Sequence, residues 1–345
     1  MKLLYNIVLI GLAHLTFGQI KGKVTDAKGQ PMPFVNIYIK DTYTGTTTND
    51  NGNFELYPRQ QGTYIVLFQF LGYKTEKQVV DYSGKPVQLE VVLREESIAL
   101  NEVVIDPKIN PALEIIKKAI ANRKTNSAKT GKYTCDFYSR GIFRVKNLPK
   151  SFLGQKMDML DEVIDSTRSG ILYLSETVSK LTFQKPDQLK EVIVASKVSG
   201  RNNGFSFNSA AQANFDFYEN YIDLNARAIS PIADNALNYY RYKFEGSFAD
   251  ENNKIINKIK VTPKRNTEPA MEGYIYIVDD SWEIYAVDLS INGNQLQNPA
   301  LNKLTLKQNY SYNTKTKIWT KNTQTIDFEA GMLGININGG FTHVF

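Results

Sequence analysis

The chain has 345 residues, and its 41 Lys and Arg against 35 Asp and Glu give a formal net charge of +6 with no dense basic run, which argues against a nucleic-acid groove. At 42% hydrophobic and 12% aromatic it can bury real cores, and 20 Tyr and 18 Phe against 6 Met favour sheets over helical bundles. Only His14 and His343 are present, one in the leading apolar stretch and the other expected in a frayed C-terminus, so a His-based catalytic unit or a zinc peptidase site is not expected.

In chain order, Met1-Lys2-Leu3-Leu4, the apolar run Ile7 to Leu15 and then Thr16-Phe17-Gly18 have the three zones of a secretory signal peptide. Residues 1–18 are read as that signal, with cleavage expected before Gln19. No Cys follows the run, so no lipoprotein anchor is expected. No later apolar stretch approaches the ~20 residues of a membrane-spanning helix, so the mature chain is expected to have none. This predicts an exported protein of the periplasm or outer membrane.

Ile20, Gly22, Val24 and Asp26 predict a strand that ends in a turn at Gly29 and Pro31, and Val35, Ile37 and Ile39 alternate as a second strand. Asn49-Asp50-Asn51-Gly52 predicts a turn before Phe54 and Leu56. Tyr64 to Phe70 reads as a central strand, Leu71-Gly72-Tyr73 as the turn after it, and Val79-Val80 and Val87 to Leu93 as closing strands. These motifs resemble the carboxypeptidase-regulatory-like domain, a prealbumin-type β-sandwich found at the start of Bacteroidota outer-membrane and secreted proteins. The resemblance implies a seven-strand-type sandwich over residues 19–94; it implies a fold and no activity.

Residues 95–109 read as a linker or an extra extended strand. Within them Leu100-Asn101-Glu102-Val103-Val104-Ile105 is similar to the segment that joins this module to the plug of TonB-dependent receptors, although no plug-like sequence follows. Asn110 and Pro111 then predict a helix start, with a cap and a proline at the first helical position. Ala112, Ile115, Ile116, Ala119 and Ile120 form its apolar stripe, and Arg123-Lys124 are placed to meet the C-terminal dipole.

Tyr133 to Arg140 alternates with Tyr133, Cys135, Phe137 and Ser139 on one side, and Cys135 reads as a small buried hydrophobe. The stretch around Met157 to Ile164 is open between a short helix and a loop. Ile171 to Val178 and Lys190 to Val198 predict a strand pair across a turn at Pro186-Asp187. Gly200 to Phe207 reads as a flexible loop, and Ser230-Pro231 as the opening of a short helix through Ala236 and Tyr239. Three hairpins follow: Tyr240–Phe248 with Ile255–Thr262, Glu272–Val278 with Trp282–Ile291, and Leu304–Tyr312 with Ile318–Phe328. The fold class is therefore mainly β: the sandwich, then an α+β domain over residues 110–345 with antiparallel hairpins and one clear amphipathic helix.

The order of helix, strand and hairpins, with Gly273, Ile275, Ile277, Asp279, Trp282 and Ile284, is similar to the half-barrel of periplasmic lipoprotein carriers, which implies a sheet cradling acyl chains. More specifically, Ser230 to Leu237 and Glu272 to Ile275 resemble a Bacteroidota outer-membrane family of unknown function, in which the regulatory-like module precedes this region and a long β-barrel follows. On that resemblance the chain stops where the barrel would begin, implying either a shortened gene or a soluble relative.

The acidic pairs Asp250-Glu251 and Asp279-Asp280 fall at predicted hairpin tips and read as solvated turn formers. Asn49-Asp50-Asn51-Gly52 lacks the ligand spacing of a calcium loop, and no phosphate or dinucleotide glycine pattern occurs. No cofactor or metal is expected, and no catalytic residue is assigned. Tyr218, Tyr221, Tyr239 and Tyr240, with Trp282 and Trp319, are candidate lining of a groove for lipid or glycan; the competing reading is an aromatic β-core. The expectation is a non-enzymatic envelope protein with a binding or assembly role and envelope-protein, lipid or glycan partners. The alternatives are the periplasmic part of a barrel or TonB-linked receptor, and a lipid or lipoprotein carrier.

Overall fold

The computed structural model describes residues 18–96, 110–149, 151–152, 155–156, 164–199, 209–211, 213–224, 226–332 and 335–345. Residues 1–17 of the expected signal peptide, most of the expected linker, the 157–163 stretch and the expected loop at 200–207 lie outside the described residues. The chain divides into two compact units, Met1–Glu95 and Glu96–Phe345.

The first unit is a sandwich of two sheets. Strands β1 (Ile20–Asp26), β4 (Asn53–Leu56) and β7 (Val87–Leu93) form one in the order β4-β1-β7, with β1 and β7 parallel. Strands β2 (Asn36–Ile39), β3 (Gly45–Thr47), β5 (Gly62–Gln69) and β6 (Glu76–Tyr82) form the other, ordered β3-β2-β5-β6. The predicted alternation is clearest in β4, where Phe54 and Leu56 are buried between exposed neighbours. In β2 all four residues are buried, because Asn36 lies inside as well and donates from Nδ2 to the side chain of Gln69 at 2.9 Å. Phe54 meets Phe68 edge-on, 5.4 Å between ring centres, at the middle of the core.

The second unit is built on one open antiparallel sheet of ten strands. They are β8 (Lys132–Lys146), β11 (Gly170–Gln184), β12 (Gln188–Ser199), β15 (Tyr240–Ala249), β16 (Ile255–Pro263), β17 (Glu272–Val278), β18 (Ile284–Asn292), β19 (Leu301–Asn313), β20 (Ile318–Met332) and β21 (Ile335–Val344). Their order is β12-β11-β8-β21-β20-β19-β18-β17-β16-β15, so among the described residues β12 and β15 are the edges of an open sheet and no barrel is closed. Two-residue strands β9 (Ser151–Phe152) and β10 (Gln155–Lys156) pair between β8 and β11, and β13 (Tyr221–Asp223) pairs with β14 (Arg227–Ile229).

Every predicted hairpin forms, but β21 was not anticipated. It lies between β20 and β8, joining the end of the chain to the first strand of this unit. His343 is consequently 0% exposed in the interior of the sheet, which corrects its expected place in a frayed terminus.

Helix α1 runs Pro111–Ala128, with Asn110 Oδ1 accepting from Ala112 N at 3.1 Å as the cap predicts. Ala112, Ile116 and Ala119 are fully buried, whereas Ile115 and Ile120 are only half-buried. The helix continues past Lys124, so Arg123 does not serve its C-terminal end; it is 3% exposed and donates to the Tyr218 carbonyl and, at 2.9 Å, to Asp234. The second helix is shorter than predicted. Helix α2 spans only Ala236–Tyr239, because Ser230 and Pro231 are taken up in a turn in which Ser230 Oγ donates to the Phe217 carbonyl. Among the described residues no helix is long and apolar enough to cross a membrane.

Candidate functional site

In an antiparallel sheet, residues directly opposite one another share a face. The register places Gln308 opposite Gln324, Gln324 opposite His343, His343 opposite Ser139, and Ser139 opposite Thr177. These five residues of β19, β20, β21, β8 and β11 therefore form a polar row across one face, and each is at most 2% exposed. A polar group removed from water needs a partner.

The carbonyls of Ala213 and Phe215 supply partners for the two glutamines of the row, and Thr177 pairs with Ser196 Oγ at 3.1 Å. Gln324 Nε2 donates to the Ala213 carbonyl at 2.8 Å, and Gln308 Nε2 donates to the Phe215 carbonyl at 2.7 Å. The two amides are also joined, Gln308 Nε2 donating to Gln324 Oε1 at 2.7 Å, while Tyr310 donates to Gln308 Oε1 at 3.0 Å. With its oxygen thus accepting, the Gln324 amide nitrogen lies 3.3 Å from His343 Nδ1 as the donor of that pair. Nδ1 as an acceptor describes a neutral imidazole protonated at Nε2. The ring is stacked on Phe137 at 5.5 Å and on Phe341 at 6.2 Å. A further tie comes from β12, where Glu191 accepts from Ser179 Oγ at 2.7 Å and from Ala210 N at 2.9 Å.

Lys321 lies beside this row. Its ammonium donates to the Phe215 carbonyl at 3.3 Å and stands 4.4 Å from the centre of the Phe345 ring. Burial lowers its pKa to about 8, against the opposing pull of Asp216 and Cys135. The thiol of Cys135 is pushed the other way, up to about 11, by burial first and then by Asp136. A half-buried thiol raised in this way holds its proton at neutral pH.

The aromatic residues singled out from the sequence do not form one groove. Tyr218 and Tyr240 are 8% and 1% exposed and spend their hydroxyls on backbone: Tyr218 accepts from Ile284 N at 2.9 Å, and Tyr240 accepts from Met271 N at 2.9 Å and donates to the Ile229 carbonyl. Trp319 is 4% exposed, with its ring 5.5 Å from Tyr285 and 5.2 Å from Tyr312. Tyr239 is half-buried at the end of α2. The rings nearer the surface are met by cations: Arg227 stands 6.0 Å from Tyr221, and Lys118 stands 4.4 Å from Trp282. Trp282 sits in the turn before β18, not within the strand, with a φ of 58°. Helix α1 does join Tyr218 to that turn, through Arg123 at the Tyr218 carbonyl and Asn126 Nδ2 donating to the Ser281 carbonyl at 2.9 Å.

Asp250 is also misjudged as a solvated tip residue. It is 7% exposed and accepts from Asn252 N and Lys254 N at 2.9 and 2.7 Å, with burial raising its pKa against those bonds. Gln308 and Gln324 were missed altogether. Their signal is phase: Leu304, Leu306, Gln308 and Tyr310 occupy alternate positions, so a glutamine stands where the pattern calls for an apolar side chain. Among the described residues no group of His, Cys, Asp and Glu is arranged to hold a metal ion.

A family model described as a family of unknown function, DUF5686, matches residues 115–345, and a model of the CarboxypepD_reg-like domain matches residues 20–105. A TonB-dependent receptor, SusC of Bacteroides thetaiotaomicron, is 35% identical over 86 residues, 25% of this chain and 8% of the receptor. The TonB-dependent receptor P3 of Formosa agariphila is 28% identical over 116 residues, 33% of this chain and 11% of that one. The chain thus spans about a tenth of these curated relatives. Among solved structures, a LolA superfamily protein from Nitrosomonas europaea has 8% identity and a TM-score of 0.24, with 69% of this chain and 94% of that chain covered. A cohesin–X-dockerin complex from Acetivibrio cellulolyticus has 18% identity and a TM-score of 0.21, covering 30% and 72%. Scores this low do not establish a shared fold for the second unit.

Proposed function

The chain belongs to DUF5686, a family of unknown function, joined here to a CarboxypepD_reg-like domain, and from that premise we propose that it is a non-enzymatic envelope protein with a binding or assembly role. The observation that carries this reading is the commitment of its reactive side chains to internal structure. The imidazole of His343 is held by Gln324 between two phenyl rings, Lys321 is held at the Phe215 carbonyl, and the Cys135 thiol is protonated. None is presented to a substrate as a poised acid, base or nucleophile would be.

The envelope location is supported by the similarity of a quarter to a third of the chain to parts of TonB-dependent receptors. Enclosure of an acyl chain between helix and sheet is the less favoured mode, since Ala112, Ile116 and Ala119 are buried without exposure and the Ala213 and Phe215 carbonyls are tied to the sheet. Binding is therefore assigned to outer surfaces and sheet edges.

The test is fractionation of the native cells into cytosol, periplasm, inner membrane and outer membrane, with N-terminal sequencing of the recovered chain. Recovery from the periplasm or outer membrane with Gln19 at the N-terminus is expected. Recovery of the intact chain from cytosol would refute the proposal.

A further inference from the structure

Edge strand β12 and its neighbour β11 carry a patch that the core does not explain. Val192, Ile193 and Val194 are 50%, 61% and 60% exposed, Val198 is 37% exposed, and Val178 on β11 is 41% exposed. Single apolar residues at a surface need no account, but five gathered on two paired strands at one end of the sheet concentrate exposed apolar surface along that edge. Three exposed lysines are set into it: the register puts Lys180 opposite Val192, Lys190 opposite Thr182, and Lys197 opposite Glu176. The Glu176 carboxylate already accepts from Tyr138 at 3.2 Å and lies 4.0 Å from Arg140. Among the described residues none of the three lysines closes an ion pair.

Two features select the occupant. The exposed apolar side chains point to both faces of the edge, since Val192 shares the phase of Lys180, whereas Ile193 and Val198 share that of the buried Ser179 and Ser175. The pairing also slips between Val178 and Ser179, leaving Val194 as a bulged residue in the middle of the edge. A bulge interrupts the row of backbone groups that an added strand would need, so strand addition by a peptide is disfavoured. A soft apolar layer under a layer of negative charge accepts both faces of such an edge and all three lysines.

We infer that the β11–β12 edge seats on an anionic lipid bilayer, its lysines meeting headgroup phosphates and its valines and isoleucine reaching the headgroup–acyl boundary. The contact is interfacial, because the unpaired backbone of an open sheet edge is not tolerated in the hydrocarbon itself. This deepens the envelope reading and rests on it for the presence of a membrane.

The full chain, sedimented with phosphatidylcholine vesicles with and without phosphatidylglycerol, tests it. Binding is expected only with phosphatidylglycerol, and added salt should weaken it. The triple variant K180Q/K190Q/K197Q should bind roughly a hundredfold more weakly. The variant V192S/I193S/V194S should bind more than about tenfold more weakly. Circular dichroism of each variant establishes folding, and residues 1–17 are common to all, so the differences between proteins read the patch. Equal binding by wild type and variants, or absence of a phosphatidylglycerol preference, would overturn the inference. So would a wild-type dimer that ignores vesicles and is dissolved by V192S/I193S/V194S, since the edge would then pair with a second copy. A cytosolic chain that still binds these vesicles through the patch sinks the envelope reading alone; an envelope chain that ignores them sinks only the lipid contact.

Discussion

Gln308 and Gln324 stand opposite one another on β19 and β20, with Gln308 Nε2 donating to Gln324 Oε1 at 2.7 Å, and each also holds one carbonyl of the segment that crosses them. The pair is the point at which an irregular segment is fastened to a regular sheet. Both side chains are within 1% of full burial, so neither has water as an alternative partner.

Replacing Gln324 by Leu removes at once one hydrogen bond from the buried Gln308 amide, one from the Ala213 carbonyl and one from His343 Nδ1, leaving Gln308 only the Phe215 carbonyl as acceptor and Ala213 only the Phe215 N–H as donor. A loss of about 2–4 kcal/mol is expected for this unit. Both tryptophans of the chain, Trp282 and Trp319, lie in the second unit, so tryptophan fluorescence in a urea titration reports that unit alone. The double variant Q308L/Q324L should cost less than the sum of the single changes by about 0.5–3 kcal/mol, because one partner is lost twice in the sum. Strict additivity would mean that the two amides act independently.

This pair also marks the limit of what the sequence could tell. The alternation of Phe54 with Leu56, the Asn110 cap and the three hairpins depend on neighbours close in the chain, and all are legible in it. The pairing of β21 with β8 joins residues about two hundred positions apart, for which no local pattern exists, and His343 was misplaced for that reason. Arg123 was misread because its partners, Tyr218 and Asp234, arrive from distant segments. The edge of β12 was legible as a strand, but its exposure depends on which strand lies beyond it, and sequence gives no sheet order.

Lys321 gives a pH dependence of definite sign. Its folded pKa of about 8 lies below the ordinary lysine value of 10.5, so between the two the unfolded chain binds more protons and stability rises with pH. The buried charge is fully present below about pH 8 and is relieved toward pH 10. Relative to Lys321→Met, wild type should gain about 1–2 kcal/mol between pH 8 and pH 10, followed by urea midpoints at each pH. A wild-type minus variant difference that stays flat across that window would show the amine to be ordinarily solvated.

Arg123 and Asp234 form an asymmetric ion pair, with side chains 4% and 58% exposed. Removing the buried partner leaves the Tyr218 carbonyl without its donor, so Arg123→Met should cost about 2–3 kcal/mol. Asp234→Asn removes only an exposed charge and should cost less than about 1 kcal/mol. Thermal denaturation of the two variants side by side checks the ordering, and a larger loss from D234N would contradict the burial argument.

Gly141 and Gly273 are both crowded, but by different kinds of neighbour. A Cβ at Gly141 would lie 2.3 Å from Cε1 of Phe341 and 2.9 Å from Ser175 Oγ, whereas at Gly273, with a φ of 139°, it would lie 2.1 Å from the backbone oxygen of Asp288. A side chain can be exchanged for a smaller one and a backbone oxygen cannot. Gly141→Ala alone should cost about 1–3 kcal/mol, and adding Phe341→Leu should return part of that loss as positive coupling. Gly273→Ala should cost more than Gly141→Ala, since steric overlap adds to a backbone conformation that L residues avoid, and Phe341→Leu should leave it uncorrected. Urea midpoints for the four proteins decide the matter: rescue of both alanine variants by Phe341→Leu, or of neither, would contradict the packing described around β8, β21 and β18.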